Sequence, residues 1–183
     1  MPNDHQRFFV LTGGPGSGKS TLIAALNGAG FAGSVEAGRA IIKSQAAIDG
    51  PALPWKNPAL FTELMLSWEM QSYETARASE GVRFFDRGIP DLIGYLRLCE
   101  LAVPDHITQA ARLYPYNGTV FLLPAWPAIF AQDSERKQSL EEAERTFHAV
   151  AGAYAECGYD LVEVPRASVD ERCRFVLDKV GLG

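Results

Sequence analysis

The sequence predicts an α/β fold in which a parallel sheet is covered by helices. Five short runs rich in branched and aromatic residues alternate with segments of helical period, the pattern expected when helices connect parallel strands. The chain has 183 residues, of which 47% are hydrophobic, enough for one domain with a substantial core. No repeat, low-complexity tract or Pro/Gly/Ser-rich linker divides it. We therefore expect residues 1–183 to form a single domain.

The predicted strands lie at residues 8–12, 33–36, 82–86, 119–123 and 161–164. A helix is predicted at 19–27, because apolar residues recur there at helical spacing and Gly28 and Gly30 follow as a stop signal. Another is expected at 37–46. Residues 49–57 and 126–138 are the stretches predicted to be mobile.

The longest predicted helix covers residues 58–78. Asn57 is a suitable cap and Pro58 suits a first turn. Its expected apolar face is formed by Leu60, Leu64, Trp68 and Tyr73. Two later helix starts have the capping-box pattern, in which Ser139 is followed by Glu142 and Ser168 by Glu171. These pairs predict helices before and after the last strand.

Composition argues against several functional classes. The net charge is −5 and no run of five basic residues occurs, so we expect no nucleic-acid partner. The polar N-terminus is followed by too few apolar residues for a signal sequence or a membrane span. Cys99, Cys157 and Cys173 are odd in number and widely spaced, which indicates small core residues in a reducing compartment. A cytoplasmic protein without a membrane partner is expected.

The chemistry is carried by a glycine-rich segment after the first predicted strand. The motif GxxxxGK[ST] is satisfied by Gly13, Gly14, Pro15, Gly16, Ser17, Gly18, Lys19 and Ser20, with Thr21 following. Glycines let consecutive backbone NH groups surround a phosphate at the positive end of the next helix. A chain of this length meets the pattern by accident only about one time in a hundred, and here an apolar strand precedes it and an apolar-periodic helix follows it. These residues predict binding of a nucleotide triphosphate, with Lys19 on the β and γ phosphates and Ser20 on Mg²⁺.

A second candidate element is the strand at 82–86, which ends in Asp86. A carboxylate there suits a second Mg²⁺ ligand if its strand adjoins the first; the alternative is an N-cap for the next helix. Arg87 follows and is a candidate to hold a phosphate or carboxylate of the second substrate, with Asp91 in the same segment. The competing interpretation is an internal ion pair between Arg87 and Asp91.

Together these features resemble a known family. The resemblance rests on the glycine loop, the Phe84-Phe85-Asp86-Arg87-Gly88 strand end, Asp133 with Glu135 and Arg136 before a helix, and Gly158-Tyr159 before the last strand. The chain is similar to small bacterial P-loop ATPases known as AAA-type ATPase domains, which are related to nucleoside and nucleotide kinases. This resemblance implies a three-layer P-loop NTPase fold with a five-stranded parallel sheet in the order 2-3-1-4-5 and, by analogy, ATP and Mg²⁺ as cofactors.

The resemblance also implies further site residues. Relatives carry an arginine-bearing lid after the fourth strand, where residues 126–138 contain Arg136 as a candidate catalytic cation. Lys137 is the other candidate cation. The lid signature of two arginines a few residues apart is absent, and the alternative interpretation is a solvated helix start. Glu36 lies where relatives keep a substrate-facing carboxylate, so Glu36 is a candidate general base and Arg39 a candidate substrate ligand. Alternatively Glu36 caps the helix at 37–46 and Arg39 is a surface residue. Asp86 is itself a further candidate base.

Aromatic residues between positions 49 and 68 are candidates for an acceptor pocket. Trp55, in a proline-flanked loop, is the predicted ligand-contacting residue, whereas Phe61 and Trp68 at helical spacing are expected in the core.

The predicted function is a MgATP-dependent small-molecule kinase, or an ATPase, acting on ATP and an unidentified acceptor. The alternative is a nucleotide-dependent switch with slow hydrolysis. A Ras-like switch is disfavoured because no NKxD motif occurs. The sequence leaves open the acceptor, the preference for ATP over GTP, and whether the protein forms a homodimer.

Overall fold

The structure is a computed structural model that describes residues 4–129 and 139–183. Its strands are β1 (Phe8–Gly13), β2 (Ala32–Gly33), β3 (Arg83–Asp86), β4 (Thr119–Leu123) and β5 (Asp160–Glu163). Its helices are α1 (Lys19–Gly28), α2 (Ala37–Ala47), α3 (Pro58–Arg77), α4 (Ile89–Leu98), α5 (Asp105–Leu113), α6 (Leu140–Glu156) and α7 (Val169–Lys179). Short 3-10 turns occur at Asp4–Arg7 and Pro127–Ile129.

The five strands form one parallel sheet in the order β2-β3-β1-β4-β5. The predicted fold class and strand order are confirmed. In the register, Leu11 of β1 pairs with Asp86 of β3, and Gly13 pairs with Leu123 of β4. Since the carboxyl ends of parallel strands meet at one edge, the glycine loop and Asp86 lie at the same edge of the sheet.

Alternate residues of β1 serve opposite faces, which explains its continuous apolar run. Phe9 and Leu11 belong to a core cluster with α1 and α7, to which Leu22, Leu26 and Val176 contribute. Phe8 and Val10 belong to another cluster, with Tyr73 from α3 and Tyr154 from α6. The sheet is thus the middle of three layers.

A further apolar cluster joins helices α2, α3, α4 and α5 beyond the sheet edge. Its buried members include Ile41, Phe61, Met65, Leu92 and Ile107. Residues of α2, α3 and α4 line one cavity together with Pro15 and Arg87, which follow the carboxyl ends of β1 and β3.

Several predicted boundaries differ from the structure. The second strand is limited to Ala32–Gly33, although the backbone NH of Ser34 still donates to the carbonyl of Phe84 at 2.8 Å. An edge strand is hydrogen-bonded to a neighbour on one side only, so few interstrand hydrogen bonds keep the chain extended beyond this point. The last strand begins one residue earlier than predicted. Helices α4 and α5 occupy a region where no helix bounds were predicted.

Helix α3 buries the predicted face only in part, at Tyr73, while Phe61 is in the core as expected. Leu60 and Trp68 are each 37% exposed, whereas Phe61, Met65 and Tyr73 are buried. Trp68 is therefore not a core residue. Cys157 is exposed, so the expectation of a core residue was wrong there. Cys99 and Cys173 are half-buried, and Cys173 packs against the cluster of Phe9 and Leu11.

The mobility of residues 49–57 stays a prediction. In this segment the backbone NH of Ala52 donates to the side chain of Gln45 at 3.1 Å, and Leu53 is buried. Of the predicted mobile stretch 126–138, residues 130–138 lie outside the described residues. Among the described residues, no helix is both long and apolar enough to cross a membrane.

Candidate functional site

The glycine loop connects β1 to α1 and is shaped by backbone that glycine adopts readily. Gly13, Gly16 and Gly18 have φ angles of 139°, 68° and 80°, in the region that side chains disfavour. Gly18 is the N-cap of α1 and no side chain caps this end. The first NH groups of the helix, including those of Ser20 and Thr21, therefore have no side-chain cap that competes with an anion.

Two of the loop glycines also permit close packing. A Cβ on Gly13 would overlap the carbonyl oxygen of Leu123, and one on Gly14 would overlap that of Ala143 in α6. Leu123 belongs to β4, the strand that pairs with β1. The loop is thus fixed from outside by backbone atoms, which keeps its inner surface available for phosphates.

Lys19 lies over the loop and is only 6% exposed. Its Nζ donates to the carbonyl of Gly14 at 3.1 Å and to Oγ of Ser17 at 3.4 Å. Oγ of Ser17 in turn donates to the same Gly14 carbonyl at 2.8 Å. A bound phosphate competes for the Lys19 ammonium as a charged acceptor, which is the stronger partner.

Asp86 and Ser20 offer the oxygen ligands that Mg²⁺ prefers. Asp86 ends β3 beside β1 and is 4% exposed, while Ser20 lies in the first turn of α1. The backbone NH of Asp86 donates to Oγ of Ser34 at 2.9 Å, which fixes the end of the strand. A carboxylate and a hydroxyl at the mouth of a phosphate loop fit Mg²⁺, which takes few protein ligands and uses substrate phosphates for others. Within residues 4–129 and 139–183, no group of three His, Cys, Asp or Glu residues has the arrangement of a separate metal site.

Arg87 follows Asp86 with φ at 74°, an uncommon conformation outside glycine. Its backbone NH donates to the carbonyl of Leu11 at 3.0 Å, and its Nη1 donates to the carbonyl of Gly13 at 3.0 Å. Burial works against its charge, but the carboxylates of Asp91, Glu36 and Asp86 raise the pKa of Arg87 above its ordinary value. Arg87 is therefore a fixed cation at the base of the loop.

Asp91 is the centre of a buried polar network and is 4% exposed. Its Oδ1 accepts from Nη1 of Arg87 at 2.9 Å and from Oγ1 of Thr12. Its Oδ2 accepts from the backbone NH of Gly88 at 3.0 Å and from Oη of Tyr154 at 2.7 Å. The ion pair between Arg87 and Asp91, which the sequence left open, is present. The hydrogen bonds of Asp91 connect α4 with β1 and α6.

Glu36 occupies the N-cap position of α2, but its side chain makes no cap hydrogen bond. Its carboxylate lies 3.7 Å from Nε of Arg87 and 3.8 Å from Nε of Arg39. The side chain of Arg39 is 39% exposed. Glu36 and Arg87 line the same cavity, whereas Arg39 does not contribute to its walls.

The cavity has a volume of about 520 Å³ and opens beside the glycine loop at Pro15. Its apolar walls come mainly from α3, α4 and α6, through Phe61, Met65, Leu92, Tyr95 and Val150. Trp55 lies at its rim and is 63% exposed. The polar side chains Glu36, Arg87 and Asp91 line it near the loop.

One cavity residue, Glu69 of α3, was missed by sequence reasoning. It is 3% exposed and contributes to the wall. A signal was present, because Phe61, Met65, Glu69 and Tyr73 recur every four residues and therefore share one helix face. A glutamate in an otherwise apolar row is a candidate site residue.

Arg172 of α7 was also missed, and no local pattern distinguishes it. It is 3% exposed, and its Nη1 lies 3.5 Å from the carbonyl of Ser17 and 3.4 Å from that of Gly18. Its guanidinium lies 5.4 Å from the ring centre of Trp126. Burial lowers the pKa of Arg172 from its ordinary value. Arg172 is thus a support for the outer side of the glycine loop. The predicted lid cation Arg136 lies outside the described residues.

Comparisons with known proteins agree with this arrangement. A family model described as an AAA domain matches residues 8–172. Deoxyadenosine kinase from M. mycoides, solved with the products dCMP and dCDP, has a TM-score of 0.67 at 16% identity, over 95% of this chain and 98% of that chain. NadR in complex with NR has a TM-score of 0.66 at 16% identity, over 98% of this chain and 53% of that chain.

A third similar structure is thymidylate kinase from Ehrlichia chaffeensis, with a TM-score of 0.57 at 12% identity over 96% of this chain and 98% of that chain. A sequence comparison with curated proteins finds no match. At these identities the similarity to solved structures shows a shared fold and does not transfer a reaction.

Proposed function

The chain belongs to the AAA domain family, whose model matches residues 8–172, and on this premise we propose that it is a MgATP-dependent kinase of a small molecule. The single observation that carries the proposal is the cavity of about 520 Å³ beside the glycine loop. A kinase must hold a second substrate next to the γ-phosphate. A nucleotide switch needs a surface for a partner and no such walled pocket.

The donor half of the proposed site is the glycine loop with Lys19. Backbone NH groups at the start of α1 bind the phosphates, and Lys19 exchanges the Gly14 carbonyl for phosphate oxygens. Asp86 and Ser20 would hold Mg²⁺, which would neutralise charge on the nucleotide phosphates. Arg172 supports the loop from outside, so that the nucleotide meets a preformed shape.

The acceptor half is the polar end of the cavity. An acceptor hydroxyl oxygen attacks the γ-phosphorus, the bond from that phosphorus to the β–γ bridging oxygen breaks, and ADP leaves. The hydroxyl proton passes to a carboxylate, for which we propose Glu36, since it lies on the cavity wall beside Arg87. Arg87 orients Glu36 and contributes positive charge near the transferred group.

A nucleoside or nucleotide is the acceptor class that we favour. Deoxyadenosine kinase and thymidylate kinase share the fold, and their names place them among kinases of nucleosides and nucleotides. The cavity combines apolar walls with polar side chains, which suits a nucleoside made of a base and a sugar. Trp55 at the rim and Arg39 outside the walls remain proposed contacts of the acceptor.

The test is ADP release from MgATP in the presence of single nucleosides, nucleotides and other small hydroxyl compounds. We expect release that depends on one class of acceptor, together with a phosphorylated product detected by mass spectrometry. ADP release unchanged by every compound would contradict a kinase and favour a plain ATPase.

The substitution Lys19→Ala tests the donor site separately. It removes the ammonium that lies over the loop and should abolish nucleotide binding and turnover. ATP affinity and turnover equal to those of the wild type would refute the assignment of the donor site.

A further inference from the structure

Glu69 is a buried acid with no partner in the described part of the chain. It is 3% exposed, lies on α3 and lines the cavity. Within residues 4–129 and 139–183 its carboxyl group has neither a hydrogen bond nor an ion pair. Buried polar groups are nearly always paired, and leaving one without a partner is costly. A group placed in this way at a cavity wall indicates that a ligand supplies the partner.

The neighbours of Glu69 cannot balance a negative charge on it. The nearby carboxyl groups are Asp91 on α4, Asp86 at the end of β3 and Glu36 before α2. Arg87 is the nearby cation, but its guanidinium already lies 2.9 Å from Asp91 and 3.7 Å from Glu36.

Tyr116, which is buried near Glu69, adds no positive charge. From α6, Glu142 and Arg145 both line the cavity and are opposite in sign. Burial, followed by the charges of Asp91 and Asp86, raises the pKa of Glu69 well above its ordinary value.

A protonated carboxyl group has one donor and one acceptor side by side. The edge of a nucleobase that presents a ring nitrogen next to an amino or carbonyl group has the complementary pattern. Apolar residues line the same cavity as Glu69, with Phe61 and Met65 on its own helix and Leu92 on α4. A neutral heterocycle fills such a space without introducing a further buried charge.

We propose that Glu69 is the specificity-determining residue of the cavity, and that it pairs with the hydrogen-bonding edge of a neutral, nucleobase-like group on the acceptor. This inference rests on the proposed kinase function and adds the part of the acceptor that is recognised. It assigns Glu69 to acceptor binding, with no part in the transfer step. The competing chemistry is a cationic head group bound to an ionised Glu69.

The experiment compares Glu69→Gln, Glu69→Leu and the control Glu63→Gln in the full chain. Gln keeps a donor and an acceptor but cannot carry a charge, whereas Leu keeps the approximate volume and removes both polar functions. Glu63 lies on the same helix and its side chain is 45% exposed. Folding of each variant is checked by its melting temperature, and ATP affinity serves as the measure of an intact donor site.

The probes are deoxyadenosine, deoxycytidine, the cation 1-methyladenosine, and methyl riboside, which lacks a base. Binding is measured by calorimetry, and ADP release gives kcat and KM for each probe. For the neutral nucleosides we expect Glu69→Gln to stay within about threefold of the wild type in Kd and KM, while Glu69→Leu weakens both by about ten- to a hundredfold. We expect kcat, ATP affinity and the Glu63→Gln variant to be nearly unchanged.

The outcomes separate this inference from the proposed function. Wild-type binding of a neutral nucleoside that Glu69→Leu weakens, without phosphoryl transfer, would contradict the kinase and support the role of Glu69. Phosphoryl transfer with equal KM in the wild type and Glu69→Leu would overturn the role of Glu69 and leave the kinase intact. Tightest binding of 1-methyladenosine, lost in Glu69→Gln, would overturn the neutral acceptor. The neutral acceptor is likewise overturned if the wild type binds neither neutral nucleoside.

Discussion

Replacing Tyr154 by Phe removes a single hydroxyl group from the buried network around Asp91. Oη of Tyr154 donates to Oδ2 of Asp91 at 2.7 Å, and the residue is fully buried. The chain offers a matched control in Tyr73→Phe. Oη of Tyr73 donates to the backbone carbonyl of Pro115, also at 2.7 Å, from a side chain that is 4% exposed. Both tyrosines pack in the same aromatic cluster, so the two substitutions differ mainly in the acceptor that loses its donor.

The nature of the acceptor sets the expected magnitudes. A hydrogen bond to a charged group contributes about 1.5–3 kcal/mol, and one to a neutral group about 0.5–1.5 kcal/mol. In a chain of this length each kcal/mol shifts the melting temperature by about 2–4 °C. We therefore expect Tyr154→Phe to lower it by about 3–12 °C and Tyr73→Phe by about 1–6 °C.

Urea and thermal denaturation of both variants measure the difference. ATP affinity is measured in parallel, because Asp91 also contacts Arg87 at the base of the glycine loop. A loss of stability in Tyr154→Phe equal to or smaller than that in Tyr73→Phe would refute the reasoning, since Asp91 would then not behave as a buried carboxylate on which the network depends.

Further predictions concern the glycine loop and the cavity. Gly14→Ala places a Cβ against the backbone carbonyl of Ala143, so we expect the free energy of unfolding to fall by about 1–3 kcal/mol and ATP binding to weaken. The control Gly28→Ala has no atom within 4 Å of the added Cβ and should be neutral or slightly stabilising. Equal melting temperatures and ATP affinities of the two variants would contradict the packing argument. Arg172→Met removes the guanidinium from the outer side of the loop and should lower both stability, by about 1–3 kcal/mol, and ATP affinity. Calorimetry measures both against the control Arg174→Met, at an exposed position of the same helix. Equal effects of the two substitutions would show that the loop does not depend on Arg172. Because the pKa of Glu69 is raised from 4.5, the folded protein holds a proton that the unfolded chain releases, and this contribution to stability is lost as the pH rises from the unfolded pKa through the folded one. Glu69→Gln cannot lose that proton, so its melting temperature relative to the wild type should increase from about pH 5 to about pH 8, and a constant difference would mean that Glu69 is ionised throughout.

The glycine loop is the part of the site that the sequence specifies most completely. Its conformation depends on positive φ angles at Gly13, Gly16 and Gly18. Glycine adopts such angles readily because it has no Cβ, so this part of the structure follows from the residue types. The neighbouring strand β1 and helix α1 follow from local apolar periodicity, and α1 begins at the predicted Lys19. The order of the sheet was implied by family resemblance and is confirmed.

Local periodicity was insufficient where two faces of a helix are both apolar. On α3 the sequence favoured Leu60 and Trp68 as buried, yet each is 37% exposed. Phe61 and Tyr73, which were also expected to be buried, are buried in one row with Met65. Both rows repeat at helical spacing, so the choice between them depends on which one meets α2 and α4. That choice is a property of packing among separate elements.

The residues alone specify the fold class and the glycine loop, and the family resemblance added the proximity of Asp86 to that loop. Which other side chains reach the site depends on tertiary packing. Arg172 contacts Gly18 across 154 positions of the chain, and Glu69 meets the cavity because α3 packs against the helices that complete its walls. Local conformation is set by the preferences of neighbouring residues, whereas these contacts form only when helices distant in sequence pack around one sheet edge.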